Sequence, residues 1–393
     1  MEKLVNTHYK EENLHRILVI GINTRHIVCS AKRAGYYVEA VTHYEDDDLV
    51  KCCDLVRSVK DEFSSVTTGT DHEDVKRFAS GLDYDHAILV SGFETLDIPR
   101  VAGNPPALAS FINNKDKLRE RLESFGYPVP QHFEAEDHIS FPVVVKPSRG
   151  TGGFKNVLVK DSEHLKRTIA SCEEGGVDEF IIEEYVQGID ASTSVLSTGE
   201  RATTIAVNEQ LLGLKDLGAL HRFSFCGSIT PVLTTYAREL IQLSNSAAED
   251  LGLVGSNGID FILGRNGPVI IEVNPRLQGT LDTIEASLDI NLVNAHIRCC
   301  EGELFPPPVY KRFACRMVSL AKHDIVVTKE CTHPNYMDIP RKGTRIPRAK
   351  PIISTLGCGK SRDLAFNNAM RYVQAAERLY ASPLPSRADA ILL

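Results

Sequence analysis

Two apolar stretches in the second half of the chain carry acidic and amide side chains that suit a divalent cation. Residues 258–263 and 269–274 are separated by a short glycine-containing turn, so we expect an antiparallel hairpin. Asp260 lies on the first strand, and Glu272 and Asn274 share one face of the second because strand side chains alternate with a period of two. Oxygen ligands of these types suit Mg²⁺. The pattern predicts a magnesium site, with a solvated polar sheet face as the alternative.

A lysine and a glycine-rich loop have the composition of a phosphate site. Residues 141–146 have the pattern of a buried strand that ends in a lysine. Glycines in the loop at 148–153 would let the backbone approach a phosphate closely, although an ordinary hairpin turn has the same composition. A solvated lysine is the usual case, but a lysine that closes an apolar strand is a stronger candidate. The candidate phosphate-binding residues are Lys117, Lys146, Ser148, Gly150, Gly152 and Gly153.

The segment at 181–186 has features of a nucleotide-base slot. It ends a predicted strand in the carboxylates Glu183 and Glu184, followed by the apolar Val186. A base needs a flat apolar slot with backbone edges to bind. We therefore consider this segment a candidate adenine site.

Two arginines near these motifs are candidates for catalysis. Arg276 follows Asn274 by two positions, so we expect it on the same strand face as Glu272, pointing into the same cleft. Arg222 and the pair at 209–210 lie between the adenine and metal motifs, where they are candidates for contact with the phosphates or an acceptor. A surface arginine is an equally good interpretation of Arg222.

The elements that must position these residues begin with a predicted βαβ unit. Residues 16–21 form a continuous apolar run typical of a buried parallel strand, residues 25–34 a helix, and residues 37–41 the next strand. Together with the apolar run at 87–90, they predict a small doubly wound domain over 16–110.

The first strand ends in a turn at residues 21–23 that lacks the GxGxxG pattern. A nicotinamide cofactor is therefore not expected. Two interpretations stay open: the turn helps to bind a second substrate, or it only connects a strand to a helix.

Alternating strand and helix patterns continue from about 141 to 305, and prolines at 306–308 indicate a boundary. Beyond it, short β-rich runs precede a final helix at 361–379. We predict α/β and α+β architecture in three domains. They are a Rossmann-like domain (1–112), a core (113–305) with a glycine-loop subdomain at about 141–190, and a C-terminal lobe (306–393).

In their order, these motifs resemble the ATP-grasp superfamily over residues 114–280. The resemblance rests on Asp116-Lys117 with a later Gly-Tyr-Pro-Val-Pro, Lys146 before its glycine loop, Glu-Glu-Tyr-Val at 183–186, and Glu-Val-Asn-Pro-Arg at 272–276. Each motif is weak alone, and five in order are specific. The longer stretch Glu-Val-Asn-Pro-Arg-Leu-Gln-Gly also resembles predicted ATP-dependent carboligases related to biotin carboxylase.

The resemblance implies an ATP-grasp fold with an N-terminal doubly wound domain, a mobile glycine-loop subdomain and a C-terminal lobe. It implies ATP and Mg²⁺, with Mn²⁺ as a substitute. By position in the motifs, Lys117 and Lys146 are expected to bind the ATP phosphates, and Glu183, Glu184 and Val186 the adenine edge. Asp190 is expected to bind the ribose, and Asp260, Glu272 and Asn274 the metal. Arg276 is expected to stabilise the acyl-phosphate intermediate.

The implied reaction is ATP-dependent ligation of a carboxylate to an amine, or to a thiol, with release of ADP and phosphate. Two alternatives stay open: a bicarbonate-activating carboxylase of the same fold, and a nucleotide-binding regulatory protein without turnover. We expect small-molecule carboxylate and amine substrates. A homodimer is compatible with these expectations.

Charge and cysteine usage argue against other classes of protein. The 44 basic and 52 acidic residues give a net charge of −8, which does not suit a nucleic-acid-binding surface. The first 15 residues lack an apolar core, and no run reaches the roughly 20 apolar residues of a membrane span, so we expect a cytoplasmic protein. The ten cysteines include no CxxC pair, which favours incidental thiols.

Overall fold

The computed structural model of the chain describes most of the sequence. The described residues are 15–59, 69–90, 92–134, 138–150, 155–175 and 179–380. None of the helices in these ranges combines the length and the hydropathy of a membrane span.

Helices and strands are numbered in chain order. The helices are α1 (Arg25–Arg33), α2 (Asp47–Cys52), α3 (Gly69–Ala79), α4 (Pro106–Ile112), α5 (Lys115–Ser124), α6 (Ser162–Glu174), α7 (Ala237–Asp250), α8 (Leu281–Leu288), α9 (Leu292–Cys300) and α10 (Arg362–Tyr380). The strands are β1 (Arg16–Gly21), β2 (Tyr37–Thr42), β3 (Leu55–Ser58), β4 (His86–Leu89), β5 (His132–Phe133), β6 (Val143–Pro147), β7 (Val157–Val159), β8 (Phe180–Glu184), β9 (Gly188–Thr198), β10 (Ala202–Leu212), β11 (Phe225–Thr230), β12 (Val254–Gly264), β13 (Gly267–Asn274), β14 (Phe313–Leu320), β15 (Ile325–Val326), β16 (Tyr336–Met337), β17 (Arg345–Ile346) and β18 (Pro351–Gly359).

The N-terminal sheet is parallel, with the strand order β3-β2-β1-β4. Residues 17–20 of its inner strand β1 are at most 1% exposed. A continuous apolar run is what a strand covered on both faces requires. The predicted doubly wound N-terminal domain is confirmed.

A large antiparallel sheet forms the body of the molecule, in the order β13-β12-β9-β10-β11-β14-β18-β16. Its strands β14, β16 and β18 follow residue 305, so the sheet crosses the predicted domain boundary at 305–306. Helix α10 packs closely on this extension, since a Cβ atom at Gly357 would lie 2.3 Å from the backbone nitrogen of Ala369. The C-terminal residues therefore extend the central sheet.

Strands β5-β8-β6-β7 form a small antiparallel sheet that is not hydrogen-bonded to the large one. Its apolar face, which includes Val143, Val145 and Ile182, packs with Leu165 of α6. The sheet begins before the predicted subdomain start at 141 because β5 pairs with β8. It ends before residue 190 because β9 already belongs to the large sheet.

The predicted helical region at 281–301 is divided into α8 and α9. Asp289 has a left-handed backbone with a φ of 61°, a conformation that Asp adopts more readily than most residues. Asn291 then caps α9 by accepting a hydrogen bond from the Asn294 N–H at 2.8 Å. The break lets the two helices cover different parts of the large sheet.

One cysteine pair differs from the expectation of incidental thiols. Cys29 of α1 and Cys52 of α2 form a disulfide, with their Cα atoms 5.5 Å apart. The bond ties together the two helices that flank β2.

Buried charged side chains join three parts of the chain. Arg25 of α1 donates from Nη1 and Nη2 to Asp282 of α8 at 3.0 and 2.6 Å, and from Nε to Asp338 at 3.0 Å. Arg316 of β14 donates to Asp338 at 2.6 Å. Burial alone would raise the pKa of Asp282, but the arginine charges and hydrogen bonds outweigh it and hold the pKa below its ordinary value. This ion cluster fixes the N-terminal domain, α8 and the C-terminal residues to one another.

Asp282→Asn is expected to lower the free energy of unfolding by about 3–5 kcal/mol, because it leaves buried arginine charge without its partner. Glu303→Gln is the control, since Glu303 pairs with Arg298 where both side chains are largely exposed. That change should barely move the unfolding midpoint. Urea denaturation of both variants measures the difference, and equal midpoints would contradict the role of the cluster.

Candidate active site

A cleft of about 390 Å³ lies between the small sheet and the large sheet. Pockets of roughly 300–1,000 Å³ are typical of small-molecule sites. The predicted site residues that line it are Lys146, Glu183, Glu184, Val186, Asp190, Arg222, Asp260, Glu272, Asn274 and Arg276. Residues from motifs more than a hundred positions apart in sequence thus meet at one place, while their individual roles stay predictions.

The small-sheet side of the cleft carries a buried ion pair. Lys146 ends the apolar run of β6, and its Nζ lies 2.5 Å from Glu183 Oε2 on the neighbouring strand β8. Both side chains are less than 10% exposed. The carboxylate holds the lysine in one orientation at the cleft wall, where its charge is little screened by water.

The segment that leaves β8 presents backbone groups to the cleft. The Glu184 N–H donates to Gln131 O at 2.8 Å, and the Tyr185 N–H donates to Pro142 O at 3.2 Å. The Val186 N–H donates to no backbone acceptor among the described residues. It is therefore the amide of this segment best placed to bind the edge of a base.

Apolar side chains from both sheets line the slot beside this segment. Val144 lies on the small-sheet side, and Ile262 and Ile271 lie on the large-sheet side. Asp190 lies next to Ile262 in the register of β9 and β12. Burial raises the pKa of Asp190, while the charge of Arg222 acts in the opposite direction.

The predicted metal residues lie on the hairpin of β12 and β13, with Asp260 in the middle of β12 and Glu272 and Asn274 near the end of β13. Asp260 and Glu272 are direct register partners on β12 and β13. Burial and the charge of Glu272 raise the pKa of Asp260 to about 7, despite hydrogen bonds from Asn274 and Gln210 and the charge of Arg276. Two carboxylates that repel each other in a partly dry site are what a divalent cation would relieve.

The described residues contain no group of three or more His, Cys, Asp or Glu side chains suited to a metal. Mg²⁺ does not require one, since it is commonly held by one or two carboxylates together with substrate phosphates. The pair of Asp260 and Glu272 fits that requirement.

Asn274 lies between this pair and Arg276. Its Nδ2 donates to Asp260 at 3.1 Å, and its Oδ1 accepts from Arg276 Nη1 at 2.9 Å. The amide oxygen therefore points to the arginine, whereas three oxygens converging on one ion were expected. A place for Asn274 among the metal ligands stays a prediction.

Arg276 reaches the cleft by a different route from the one expected. Strand β13 ends at Asn274, so Arg276 does not continue its face and follows a turn through Pro275. Its Nε lies 2.8 Å from Glu94 Oε1, which comes from the loop after β4. Nothing in the local sequence pattern predicts that Glu94 pairs with Arg276.

The two lysines at the start of α5 differ from the expectation. Lys117 is exposed, and neither it nor Lys115 is among the residues that line the cleft. Lys115 instead has a side chain only 10% exposed, with its Nζ 3.6 Å from Glu272 Oε1. Helical periodicity explains the difference, because position 115 shares a face with the buried Leu118 and Leu122.

The start of the glycine-rich loop is tied to the same helix. The Ser148 carbonyl accepts from the Lys115 N–H at 2.9 Å, and the Gly150 carbonyl accepts from Lys115 Nζ at 2.7 Å. Gly150 has a φ of 141°, which favours glycine. Gly152 and Gly153 lie outside the described residues.

Arg222 stands at the mouth of the cleft. Its guanidinium carbon lies 4.7 Å from the centre of the Tyr185 ring, and its Nη2 donates to the Tyr185 hydroxyl. Gln210 donates to Asp260 at 2.8 Å, whereas the adjacent Glu209 pairs with Arg362. Alternation along β10 thus directs only one residue of the 209–210 pair into the cleft.

Residues 112–280 match the model of the ATP-grasp domain family. The chain contains an ATP-grasp domain. This match agrees with the range of 114–280 over which the motif order resembles the superfamily, and the strand order of both main sheets agrees with the predicted α/β and α+β architecture.

Proteins similar over most of the chain extend the likeness beyond the ATP-grasp domain. An uncharacterised protein of Methanocaldococcus jannaschii is 26% identical in an alignment of 365 positions that covers 87% of this chain and 88% of that protein. The biotin carboxylase domain dimer of the Hydrogenobacter thermophilus 2-oxoglutarate carboxylase, solved with MgADP, ADP and bicarbonate, has a TM-score of 0.73 at 16% identity and covers 93% of this chain and 90% of its own. Phosphoribosylamine–glycine ligase of Thermotoga maritima has a TM-score of 0.70 at 16% identity over 91% and 96%. At such identities, the two structures show a shared fold.

Lys115→Ala is expected to weaken binding of a non-hydrolysable Mg-ATP analogue on the order of tenfold or more, because the variant loses a cation that contacts both the glycine loop and Glu272. Lys117→Ala is the matched control and should bind within about twofold of the wild type, as an exposed lysine contributes little. Isothermal titration calorimetry of the two variants compares the affinities. A larger loss in Lys117→Ala would restore the original assignment.

Proposed function

We propose that this protein is an ATP-dependent ligase that activates a carboxylate as an acyl phosphate and joins it to an amine, releasing ADP and phosphate. The observation that carries the proposal is the presence of Lys146 and Arg276 in the same cleft as the carboxylate pair of Asp260 and Glu272. Transfer of a phosphoryl group needs cations for the phosphates and carboxylates for the accompanying Mg²⁺.

The nucleotide would lie with its base between Val144 and the isoleucines of the large sheet, against the backbone of Val186. Asp190 is the proposed ribose ligand. Lys146 and Lys115 would contact the phosphates, with the backbone from Ser148 to Gly150 beside them. Val144, Lys146, Val186, Asp190 and both isoleucines line the cleft, and Lys115 is placed beside it by its hydrogen bond to the Gly150 carbonyl and its approach to Glu272.

Asp260 and Glu272 would hold Mg²⁺, or Mn²⁺ as a substitute, with Asn274 as the predicted third ligand. When bound, the ion offsets negative charge on the transferring phosphoryl group. Gln210 and Asn274 orient the Asp260 carboxylate through hydrogen bonds to its two oxygens. Such orientation of a ligand by its neighbours is a general requirement of metal sites.

In the proposed reaction, an oxygen of the substrate carboxylate attacks the γ-phosphorus as the bond to the β–γ bridging oxygen breaks and ADP leaves. Lys146 and Arg276 offset the charge that develops on the transferring group. The amine then adds its electron pair to the carbonyl carbon of the acyl phosphate and gives up a proton to solvent. Inorganic phosphate leaves as the carbon–nitrogen bond forms.

The likeness to phosphoribosylamine–glycine ligase supports an amine as the second substrate, since that protein's name describes such a ligation. The likeness to the biotin carboxylase domain supports a second candidate, in which bicarbonate is the activated carboxylate. Biotin carboxylase was solved there as a dimer, which supports a homodimer for this chain too. A regulatory protein without turnover is disfavoured by the set of cations and carboxylates that line one cleft.

Incubation of the protein and Mg-ATP with pools of carboxylic acids and amines tests the proposal, with ADP as the readout. Release of ADP that requires both an acid and an amine is the expected result. Incorporation of isotopically labelled bicarbonate into product would favour the carboxylase. Nucleotide binding without ADP release in any pool would favour the regulatory alternative.

Glu272→Gln is expected to slow ADP formation on the order of 100-fold or more, because it removes a ligand charge from the proposed metal site. Glu209→Gln is the control, since Glu209 also lies on the large sheet but pairs with Arg362 away from the cleft. It should retain near wild-type turnover. Steady-state rates, with circular dichroism to verify folding, make the comparison; a fast Glu272→Gln enzyme would disprove the metal assignment.

A further inference from the structure

We propose that Glu94 is a positioning residue through which the N-terminal domain sets the orientation of Arg276 for the phosphoryl-transfer step. The inference rests on the proposed ligase function and adds a residue outside the ATP-grasp domain match at 112–280. Glu94 does not line the cleft, so it would act through Arg276 and not on substrate.

The carboxylate of Glu94 is held firmly in place. The side chain is 5% exposed, and its Oε2 accepts a hydrogen bond from the Gly92 N–H at 2.9 Å. The other oxygen, Oε1, lies 2.8 Å from Arg276 Nε. An ion pair in so dry a setting is strongly orienting, because little solvent screens it.

Arg276 is thereby fixed on two sides. Glu94 Oε1 lies beside Nε as an ion-pair partner, without the geometry of a hydrogen bond, and Asn274 Oδ1 accepts from Nη1 at 2.9 Å. Nη2 has no hydrogen bond to another described residue and is the part of the guanidinium left to bind an oxygen in the cleft. A donor whose direction is fixed before the reaction stabilises developing charge without the cost of reorganisation.

The contacts continue from Arg276 into the proposed metal site. Arg276 donates to Asn274, Asn274 donates to Asp260, and Gln210 donates to the other oxygen of Asp260. Glu94 thus begins a connected series that ends on β10 of the large sheet. Its own location, just after β4 of a parallel sheet, is where doubly wound domains present functional groups.

A simple role in holding the domains together is the competing explanation, and the chain offers a matched control for it. Glu285 of α8 is 9% exposed and pairs with Arg33 of α1 across the same domain contact, but it does not line the cleft. Glu285 also accepts from Ser30 at 2.5 Å and from the Leu292 N–H at 2.7 Å. Loss of its charge would weaken the contact and leave Arg276 in place.

The decisive experiment compares Glu94→Gln, Arg276→Ala and the double variant in single-turnover ADP formation and in binding of a non-hydrolysable Mg-ATP analogue. Glu94→Gln should slow ADP formation about 10- to 100-fold, the range for a misplaced catalytic group, and keep analogue affinity within about threefold. Glu285→Gln should leave both within about threefold. In the double variant, the loss should equal that of Arg276→Ala alone, because Glu94 acts through Arg276.

A double variant slower than Arg276→Ala by the full Glu94→Gln factor would overturn the proposal, as would a Glu94→Gln enzyme that behaves like Glu285→Gln. If Glu94→Gln does not fold, Glu94→Asp keeps the charge and withdraws it by one methylene, and it should show the same selective loss of rate. A wild-type rate in that variant would also overturn the proposal.

Failure of the ligase function can be told apart from failure of this inference. If no acid and amine support ADP release by the wild type, crystal structures of Glu94→Gln and Glu285→Gln with the Mg-ATP analogue still decide it. The expected result is an Arg276 guanidinium displaced from Asn274 in Glu94→Gln alone. An unmoved guanidinium in that variant would rule the positioning role out.

Discussion

The buried ion cluster of Arg25, Asp282, Arg316 and Asp338 is the constraint on which the far end of the cleft depends. The segment from β13 to α8 carries Arg276, and it is anchored by Asp282 at one end and by a hydrogen bond from Arg316 to the Gly279 carbonyl in the middle. Burial of four charges is costly unless every one is paired. The cluster therefore permits one arrangement of the three chain parts, and it specifies geometry more than it adds stability.

Cations in the cleft and beside it follow the same rule, since each lies close to an acid from another element. Lys146 pairs with Glu183, Arg276 with Glu94, and Lys115 lies near Glu272. Such pairs limit the rotamers of long side chains before any ligand arrives, so less entropy is lost on binding. Asp260 differs, because burial and the nearby Glu272 leave its negative charge unfavourable near neutral pH. A nucleotide that arrives with its own divalent cation would correct that imbalance.

Local patterns in the sequence predicted the elements and the acidic hairpin, because those features arise from neighbours in the chain. Alternation placed Glu272 and Asn274 on one strand face, whereas the pairing of Asp260 with Glu272 also depends on a register shift between Asp260 and Phe261 that the pattern did not predict. The helical phase of Leu118 and Leu122 also made it predictable that Lys115 is the more buried of the two lysines. The pairing of Arg276 with Glu94 was not predictable, since it joins residues about 180 positions apart and depends on how two domains meet.

The two ends of the cleft therefore differ in whether the residues that position them fall within the ATP-grasp family match. Residues that would hold the nucleotide all fall within the match at 112–280, and many act through backbone groups or through adjacent strands. At the other end, Arg276 takes its direction from Glu94, and its segment is held by Arg25 and Arg316, all outside that match. Since the same fold hosts many reactions, we expect these surrounding parts to select the second substrate of the proposed ligase. A change there is then expected to alter the substrate and to leave the proposed phosphoryl transfer the same.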